Sequence, residues 1–436
     1  MSDPGDAPPR HDPLAALRQP NFALFAGGRF AGTIAMTLFN AAIAWQVFDI
    51  SGSALHLGFI GLARFAPSLG LSLVGGAVAD SHDRRHILML AQIVPLACSA
   101  ALFGATVSGQ ASLALIYTLV LVVAVAQAFE NPARQALLPL VVTRESFPNA
   151  IVVSSTVQSF GFVTGPAVGG LLIGFSGLGS AYAVHIALIA VSLGSLFFLR
   201  ARPAEGVRRA VSVESIMEGI RFVWTRQVLL GAMTLDMFAV IFGGATALLP
   251  IYAKEILNVG GPGYGFLSAS LEAGAAITAL SLVFLPPIKQ TGRALLGTVA
   301  LFGLGTIVFG LSRSFPLSLA AYMFIGMADQ VSVVLRQTTI QLSTPDELRG
   351  RVSSVNMLFI GASNQLGAME SGFVAALSTA TFAVVSGGVG CLAVVGAVAA
   401  RMPELRRYRA STLPAHTLSA STPSTPLHEE ELAVGG

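Results

Sequence analysis

Four stretches of this chain, residues 87–108, 111–128, 179–199 and 382–400, are almost unbroken runs of apolar side chains. Each is close to the roughly 20 residues that carry a helix across the ~30 Å hydrocarbon core of a bilayer. No water in that core can satisfy a free backbone N–H or C=O, so such runs are confined to continuous helices. Composition agrees. The 436 residues are 54% hydrophobic and 11% charged, whereas a soluble domain carries about 25% charged residues. With a mean hydropathy of +0.74, the chain has too little polar surface to remain in water. It reads as an all-α, multi-pass integral membrane protein.

The hydrophobic pattern predicts twelve spans, near 22–48, 55–79, 87–108, 111–131, 150–175, 179–200, 228–252, 264–285, 294–311, 315–341, 352–376 and 382–401, each an uninterrupted helix. The first twenty residues are polar and proline-rich, without an apolar core followed by a small-residue cleavage site. No removable leader is therefore expected, and the first span serves as the insertion signal. Cys98 and Cys391 both sit in apolar segments and offer neither a disulfide framework nor a metal cluster.

Lysine and arginine set the orientation. With both termini cytoplasmic, the inner segments hold 21 of the 25 cationic side chains, including Arg84, Arg85, Arg134, Arg336, Arg349 and Arg351. Only Lys254 and Arg313 fall outside, and Arg29 and Arg64 fall within the membrane.

The spans divide into two sixes. The expected organisation is a cytoplasmic tail (1–20), a six-helix bundle (21–200), a basic linker (201–227), a second six-helix bundle (228–402) and a disordered cytoplasmic tail (403–436). In the linker, Ser215-x-x-Glu218 has capping-box spacing. Ile216, Ile220, Val223 and Trp224 then recur at helical spacing, as in a short amphipathic helix on the inner surface or a solvated linker helix. The halves also repeat each other: RQALLPLVVTRE from Arg134 matches RQTTIQLSTPDE from Arg336, with Asp346 in its PDE, at an offset of 202. The same offset relates Gly165 to Gly367 and Gly170 to Gly372. Such repeats accompany transporters whose substrate site lies between two bundles near the midplane.

Two motifs add detail. Gly76-x-x-x-Asp80 followed by Arg84-Arg85, between the second and third spans, resembles the signature loop of the major facilitator superfamily. Gly76 permits close helix approach. Asp80 stands at a helix C-terminus, where the dipole disfavours an anion, so it needs a partner: Arg84, Arg85 or the start of the eleventh span near Val352. The resemblance implies a charged inner gate. Ser81 and Asp83 depart from that pattern, standing where the family usually has a basic residue and often a glycine. Gly161-x-x-x-Gly165-Pro166-x-x-Gly169-Gly170 in the fifth span resembles the antiporter motif of proton-coupled exporters of this superfamily. Pro166 removes one helical hydrogen bond and favours a bend there.

The strings ENPARQALLP, STPDELRGRVSSVN and ASNQLGAMESG are similar to the subgroup containing bacterial enterobactin exporters. Residues 111–129 lack the arginine that many drug/proton antiporters carry in the fourth span. This resemblance implies a major facilitator fold in a bacterial inner membrane. It also implies secondary active export of a small amphiphile, siderophore- or drug-like, by proton antiport. An importer, a facilitator or a non-transporting sensor of the same fold are the alternatives.

Ionisable side chains inside spans are the strongest site candidates, because each costs about 2.5–3.5 kcal/mol at a helix centre. They are Arg29, Arg64, Asp236, Glu272, Asp329 and Glu370. Arg29 and Arg64 would face an anionic or polar substrate, with Asp236 and Asp329 as proton carriers. The competing expectation is a set of permanent ion pairs fixing the fold. Gln158, Asn364 and Gln365 could line a cavity or glue helices together, and His185 is expected to be a hydrogen-bonded structural histidine. No phosphate-binding glycine loop, metal-ligand spacing or nucleophile–base arrangement occurs, which argues against an enzyme or an ATP-driven pump. The expected partners are the lipid bilayer, protons and a small-molecule substrate. No resident cofactor and no nucleic acid is expected, and the protein is expected to be a monomer.

Overall fold

The computed structural model describes residues 16–81, 83–200, 213–286 and 288–409, with side chains described except at 66, 68–70, 72–77, 79–81, 213–216 and 346. Gly76, Asp80 and Asp346 therefore have their surroundings outside the described residues. The chain folds into helices α1 (Pro20–Ser51), α2 (Ala54–Ser81), α3 (Arg84–Val107), α4 (Leu113–Leu137), α5 (Phe147–Ser176) and α6 (Leu178–Phe198). A linker helix, α7 (Val213–Thr225), follows. The second half comprises α8 (Gln227–Phe242), α9 (Leu249–Ile251), α10 (Gly260–Phe284), α11 (Thr291–Leu311), α12 (Phe315–Leu342), α13 (Arg349–Leu377), α14 (Ala380–Arg401) and α15 (Pro403–Arg407).

Local chemistry marks the ends. α1 opens on Pro20, whose missing N–H costs nothing in a first turn. It closes at Gly52, left-handed with φ 57°, whose N–H reaches the Phe48 carbonyl. Among the described residues ten helical segments are long and apolar enough to cross a membrane. The two other long helices, α2 and α13, differ from these: the apolar run in α2 is Ala54–Phe65, and α13 carries Asn364, Gln365 and Glu370.

The seventh span is not the unbroken helix that hydropathy predicts. α8 ends at Phe242, a 3-10 turn covers Ala245–Leu248, and a π-helical turn covers Tyr252–Ile256. Glycines cause the break: β-carbons at Gly243 and Gly244 would collide with Phe302 and with Gly367 and Ser371. The chain passes too close to its neighbours for regular helix.

Helices before residue 200 pack on one another, with α5 and α6 against α1, and α4 against α2 and α3. Those after Arg226 do the same, α12 against α10 and α11, and α13 and α14 against α8. Two long seams join the groups, α2 with α13 and α5 with α10. Lipid gives helices no hydrophobic reason to associate, so close backbone approach at small residues carries much of the packing. The repeat is visible in these contacts. A β-carbon on Gly165 would sit 2.7 Å from the Ile34 carbonyl oxygen of α1, and one on Gly367 would sit 2.6 Å from the Val240 carbonyl oxygen of α8. Gly170 lies against the Gly265 backbone in one seam, and Gly372 lies against the Gly58 backbone in the other.

Cross-links between helix ends define two faces. Gln19 bonds Thr143 and Ser146, Arg85 bonds the Leu196 carbonyl, and Ser343 bonds Tyr408, all on the face that carries both described chain ends. Asp49, Lys254, Gly174 and Pro262 meet on the far face.

Two expectations near the linker and tail are corrected. α7 already includes Val213, so Ser215 is not its N-cap, and Glu218 instead pairs with Arg351 at 2.6 Å. Val223 and Ile220 pack against Val352, Val355 and Met233, leaving Trp224 exposed. The tail is ordered through Arg409: Leu405 is fully buried and the Tyr408 carbonyl accepts from Gly292 N–H at 3.2 Å.

Gly170→Val is expected to destabilise the folded protein by about 1–3 kcal/mol, because the seam must open to admit the side chain. Gly297→Ala, which meets nothing within 4 Å, is expected to be neutral or slightly stabilising. Thermal unfolding of the two variants in detergent checks the contrast.

Candidate functional site: a charge network in the second half

Helix α12 carries Tyr322, Asp329 and Arg336 at seven-residue intervals, which places them on one face about 10.5 Å apart in rise. Arg336 anchors the array. Its guanidinium pairs with Asp236 of α8 at 3.0 Å and donates to Asn356 of α13 at 2.8 Å, with 3% of its side chain exposed. This corrects the count that placed Arg336 among loop cations. It lies inside α12, within the span the hydropathy pattern had already drawn, and position in that span was the signal that identified it.

Asp329 and Glu272 differ from Asp236. Among the described residues neither accepts a hydrogen bond or makes a direct ion pair, although Asp329 feels the charges of Asp236, Arg336 and Glu272. One cation thus serves two carboxyl groups, Asp236 directly and Asp329 through its field, while Glu272 acts on Asp329. Glu272 also lies within electrostatic reach of Tyr322, whose hydroxyl bonds Thr246 at 2.7 Å. Thr246 belongs to the broken segment after α8, so the interruption of that helix brings its backbone and hydroxyl to the carboxyl cluster. Glu370 stands one turn beyond Gly367 on α13 and accepts from Ser371 Oγ at 3.3 Å.

The first half presents cations with neutral partners. Arg29 bonds Gln158 of α5, and Arg64 donates to Asn40 of α1 at 2.9 Å. Among the described residues neither pairs with an acid. Arg64 is also within electrostatic reach of Tyr264 on α10, across the seam. Tyr264 in turn donates to the Ala41 carbonyl at 3.2 Å and packs on Trp45. Arg134, the repeat counterpart of Arg336, pairs with Glu130 one turn earlier in its own helix. Gln92 also donates to Glu130, at 3.2 Å.

At the signature loop, Asp83 caps α3 by accepting from Arg85 N–H at 2.9 Å. Arg84 is buried and points its guanidinium at the Ala136 carbonyl, while Arg85 bonds the carbonyls of Leu196 and Phe197 at the end of α6. Both arginines thus cap helix C-termini within the first half, where the dipole favours a cation. The antiporter-type motif splits between two faces. Gly161, Gly165 and Gly169 pack on α1, whereas Gly170 packs on α10 across the seam, and Pro166 lies in the helix between them. Arg349 starts α13 and Arg351 holds Glu218.

His185 departs from expectation. It is fully buried on α6, stacked on Phe39 at 4.6 Å, and neither ring nitrogen has a hydrogen-bond partner among the described residues. A contact the sequence reading missed joins the halves at the far face. Lys254 Nζ lies 2.5 Å from Asp49, with the Phe48 ring 5.9 Å below the ammonium. Lys254 was the lone cation between the seventh and eighth spans, which was the available signal.

Two repeated helical groups joined along paired seams, with a buried charge network in the second, define a transporter of the major facilitator type. Within that class the chain belongs to the family described as transmembrane secretion effectors, whose model matches residues 11–433. The enterobactin exporter EntS of Escherichia coli O1:K1 / APEC is 27% identical over 407 residues, covering 92% of this chain and 96% of the relative. Among solved structures, the nucleoside transporter NupG superposes with a TM-score of 0.68 at 12% identity, over 89% of this chain and 99% of that one. A bacterial homologue of the human lysosomal transporter Spinster, inward-facing and unoccupied, gives 0.66 at 15% identity, over 90% and 97%.

Arg336→Gln leaves the Asp236 carboxylate buried without its cation, an arrangement expected to cost about 3–5 kcal/mol. Asp236→Asn in the same chain should recover most of that loss, as read from unfolding midpoints. Lys254→Gln removes an exposed pair worth at most about 1 kcal/mol. It should shift the population of the far-face-closed state no more than about fivefold, measured by spin-label distances across that face, with Lys254→Asp/Asp49→Lys restoring it.

Proposed function

We propose that this protein is a secondary active exporter that moves a small amphiphilic molecule, siderophore- or drug-like, outward across a bacterial inner membrane in exchange for protons. The observation that carries the proposal is the placing of Arg336 between two carboxyl groups, paired with Asp236 and acting on Asp329, beside a broken helix. A proton carrier needs a carboxyl group whose affinity for the proton changes with conformation. One cation that can pair with only one of two acids at a time supplies such a change: whichever carboxylate it leaves is disfavoured as an anion in a buried site. In the first half, Arg29 and Arg64 hold amide partners that a polar or anionic substrate group can displace.

Twelve spans in two six-helix bundles, with both termini cytoplasmic, accommodate this reading. Moving Arg336 into the membrane leaves 20 cationic side chains on the cytoplasmic side and two outside, so the orientation argument stands. The far face is then extracytoplasmic, and the contacts of Asp49 with Lys254 and of Gly174 with Pro262 close it. Substrate enters from the cytoplasm in that state. Bound substrate then favours opening of the far face, where a proton from outside replaces it and favours the return, releasing that proton to the cytoplasm, as alternating access requires. The likeness to an enterobactin exporter supports the outward direction and the amphiphilic class. A membrane potential of 100 mV supplies about 2.3 kcal/mol per charge moved, enough for roughly a 50-fold gradient. No cofactor is needed beyond the proton gradient, and a monomer contains the whole network.

Inside-out vesicles with an acid interior test the reading. A panel of siderophores, dyes and antibiotics should contain a compound that enters only when the protein is present and dissipates the gradient as it does so. Asp329→Asn and Asp236→Asn should each lower proton-coupled uptake at least tenfold. Full coupling in both variants would remove these acids from the proton path.

A further inference from the structure

The most concentrated cationic patch lies away from the charge network. Arg293, Arg406, Arg407 and Arg409 line a cavity of about 110 Å³, together with Gln290 and Tyr408. Among the described residues none of these four arginines has an acidic partner, and the one hydrogen bond made by any of their side chains is a long 3.5 Å bond from Arg293 to Gln290. The positive-inside rule explains arginines on this face, but not their convergence. That convergence is built. Leu405 is buried against Gly231. Tyr408 is tied by its carbonyl to Gly292 N–H at 3.2 Å and by its hydroxyl to Ser343 at 3.0 Å. A β-carbon on Gly292 would strike the Leu405 carbonyl oxygen, so glycine there lets the strap lie against the start of α11. Arg406, Arg407 and Arg409 are thus carried on an anchored segment over the first turn of a membrane-crossing helix.

That position fixes the depth. α11 enters the bilayer at Thr291, and the chain just before it exposes Phe284, Leu285 and Ile288. Apolar side chains beside a cluster of guanidinium groups place the cavity where acyl chains give way to headgroups. Guanidinium forks match phosphate oxygens in pairs. We propose that this cavity binds the phosphodiester of an anionic phospholipid, with the four arginines holding the headgroup and the apolar side chains before α11 flanking its acyl chains. A zwitterionic headgroup fits less well, because its ammonium would meet the same cations. Each arginine near a membrane surface contributes about 1 kcal/mol, or roughly a fivefold change in affinity.

The full chain in detergent can be titrated with phosphatidylglycerol, phosphatidylcholine or inorganic phosphate, and retained ligand counted by native mass spectrometry. The wild type is expected to retain phosphatidylglycerol about tenfold more strongly than phosphatidylcholine. Arg407→Gln should weaken it about fivefold, and the combined Arg293→Gln, Arg406→Gln, Arg407→Gln, Arg409→Gln chain should show no preference. A charge-matched control, Arg144→Gln, Arg200→Gln, Arg221→Gln, Arg401→Gln, should keep it. The proposal fails if the preference survives in the fourfold variant or drops equally in the control. Inorganic phosphate binding with no preference between the two lipids would make this a free-phosphate site and overturn the lipid assignment.

Discussion

The ion pair between Arg336 and Asp236 is the contact on which the second half of the molecule turns. Burying two charges costs several kcal/mol per ion, and their attraction repays it only with good geometry and further hydrogen bonds. Here Asn356 supplies one such bond, so α8, α12 and α13 are tied at one guanidinium. Because the site is dry, the arginine cannot leave Asp236 without a new partner. Asp329, seven residues earlier on the same face, is a carboxyl group within reach of its field, and Glu272 on α10 acts in turn on Asp329. Under the proposed reading, the structural anchor and the switch are the same side chain.

Around that anchor the glycine seams allow movement without unpacking. Gly170 against Gly265, and Gly372 against Gly58, put backbone on backbone at equivalent places in the two seams. Contacts of this type have no interdigitated side chains to disengage, so one half can rock over the other at small cost. Gly165 on Ile34 and Gly367 on Val240 lock α5 to α1 and α13 to α8, which keeps each group together as the seams flex. The antiporter-type motif therefore combines two functions on one helix, with three of its glycines facing inward and Gly170 facing the other half.

Span positions, the internal repeat and the intramembrane charges were legible because each leaves a one-dimensional trace: an apolar run, an offset, a charge where none is cheap. What escaped depends on spatial neighbours. Nothing local in GGATALLPIYAKEI says that Phe302 and Gly367 crowd the chain and break the helix. The order of residues 403–409 rests on Gly231, Gly292 and Ser343, all distant in sequence. The capping box failed because Glu218 found Arg351, a stronger partner than a backbone N–H. His185 was expected to be hydrogen-bonded, but the face of α6 that it occupies offers the Phe39 ring instead.

The repeat also shows where the two halves diverge. Arg134 and Arg336 are equivalent by sequence, and each holds a carboxylate. Arg134 takes Glu130 from its own helix, four residues away, so that no movement between helices alters the pair. Arg336 takes Asp236 from another helix, one that breaks six residues further on. A shift of α8 against α12 changes the second pair and leaves the first intact. Arg29 and Arg64, whose partners are neutral amides, keep their charge whichever way the halves rock. Under the proposed reading this assigns constancy to the substrate-facing first half and variability to the proton-facing second half. The division follows from which helix donates the acid, a difference of one partner imposed on an otherwise repeated frame.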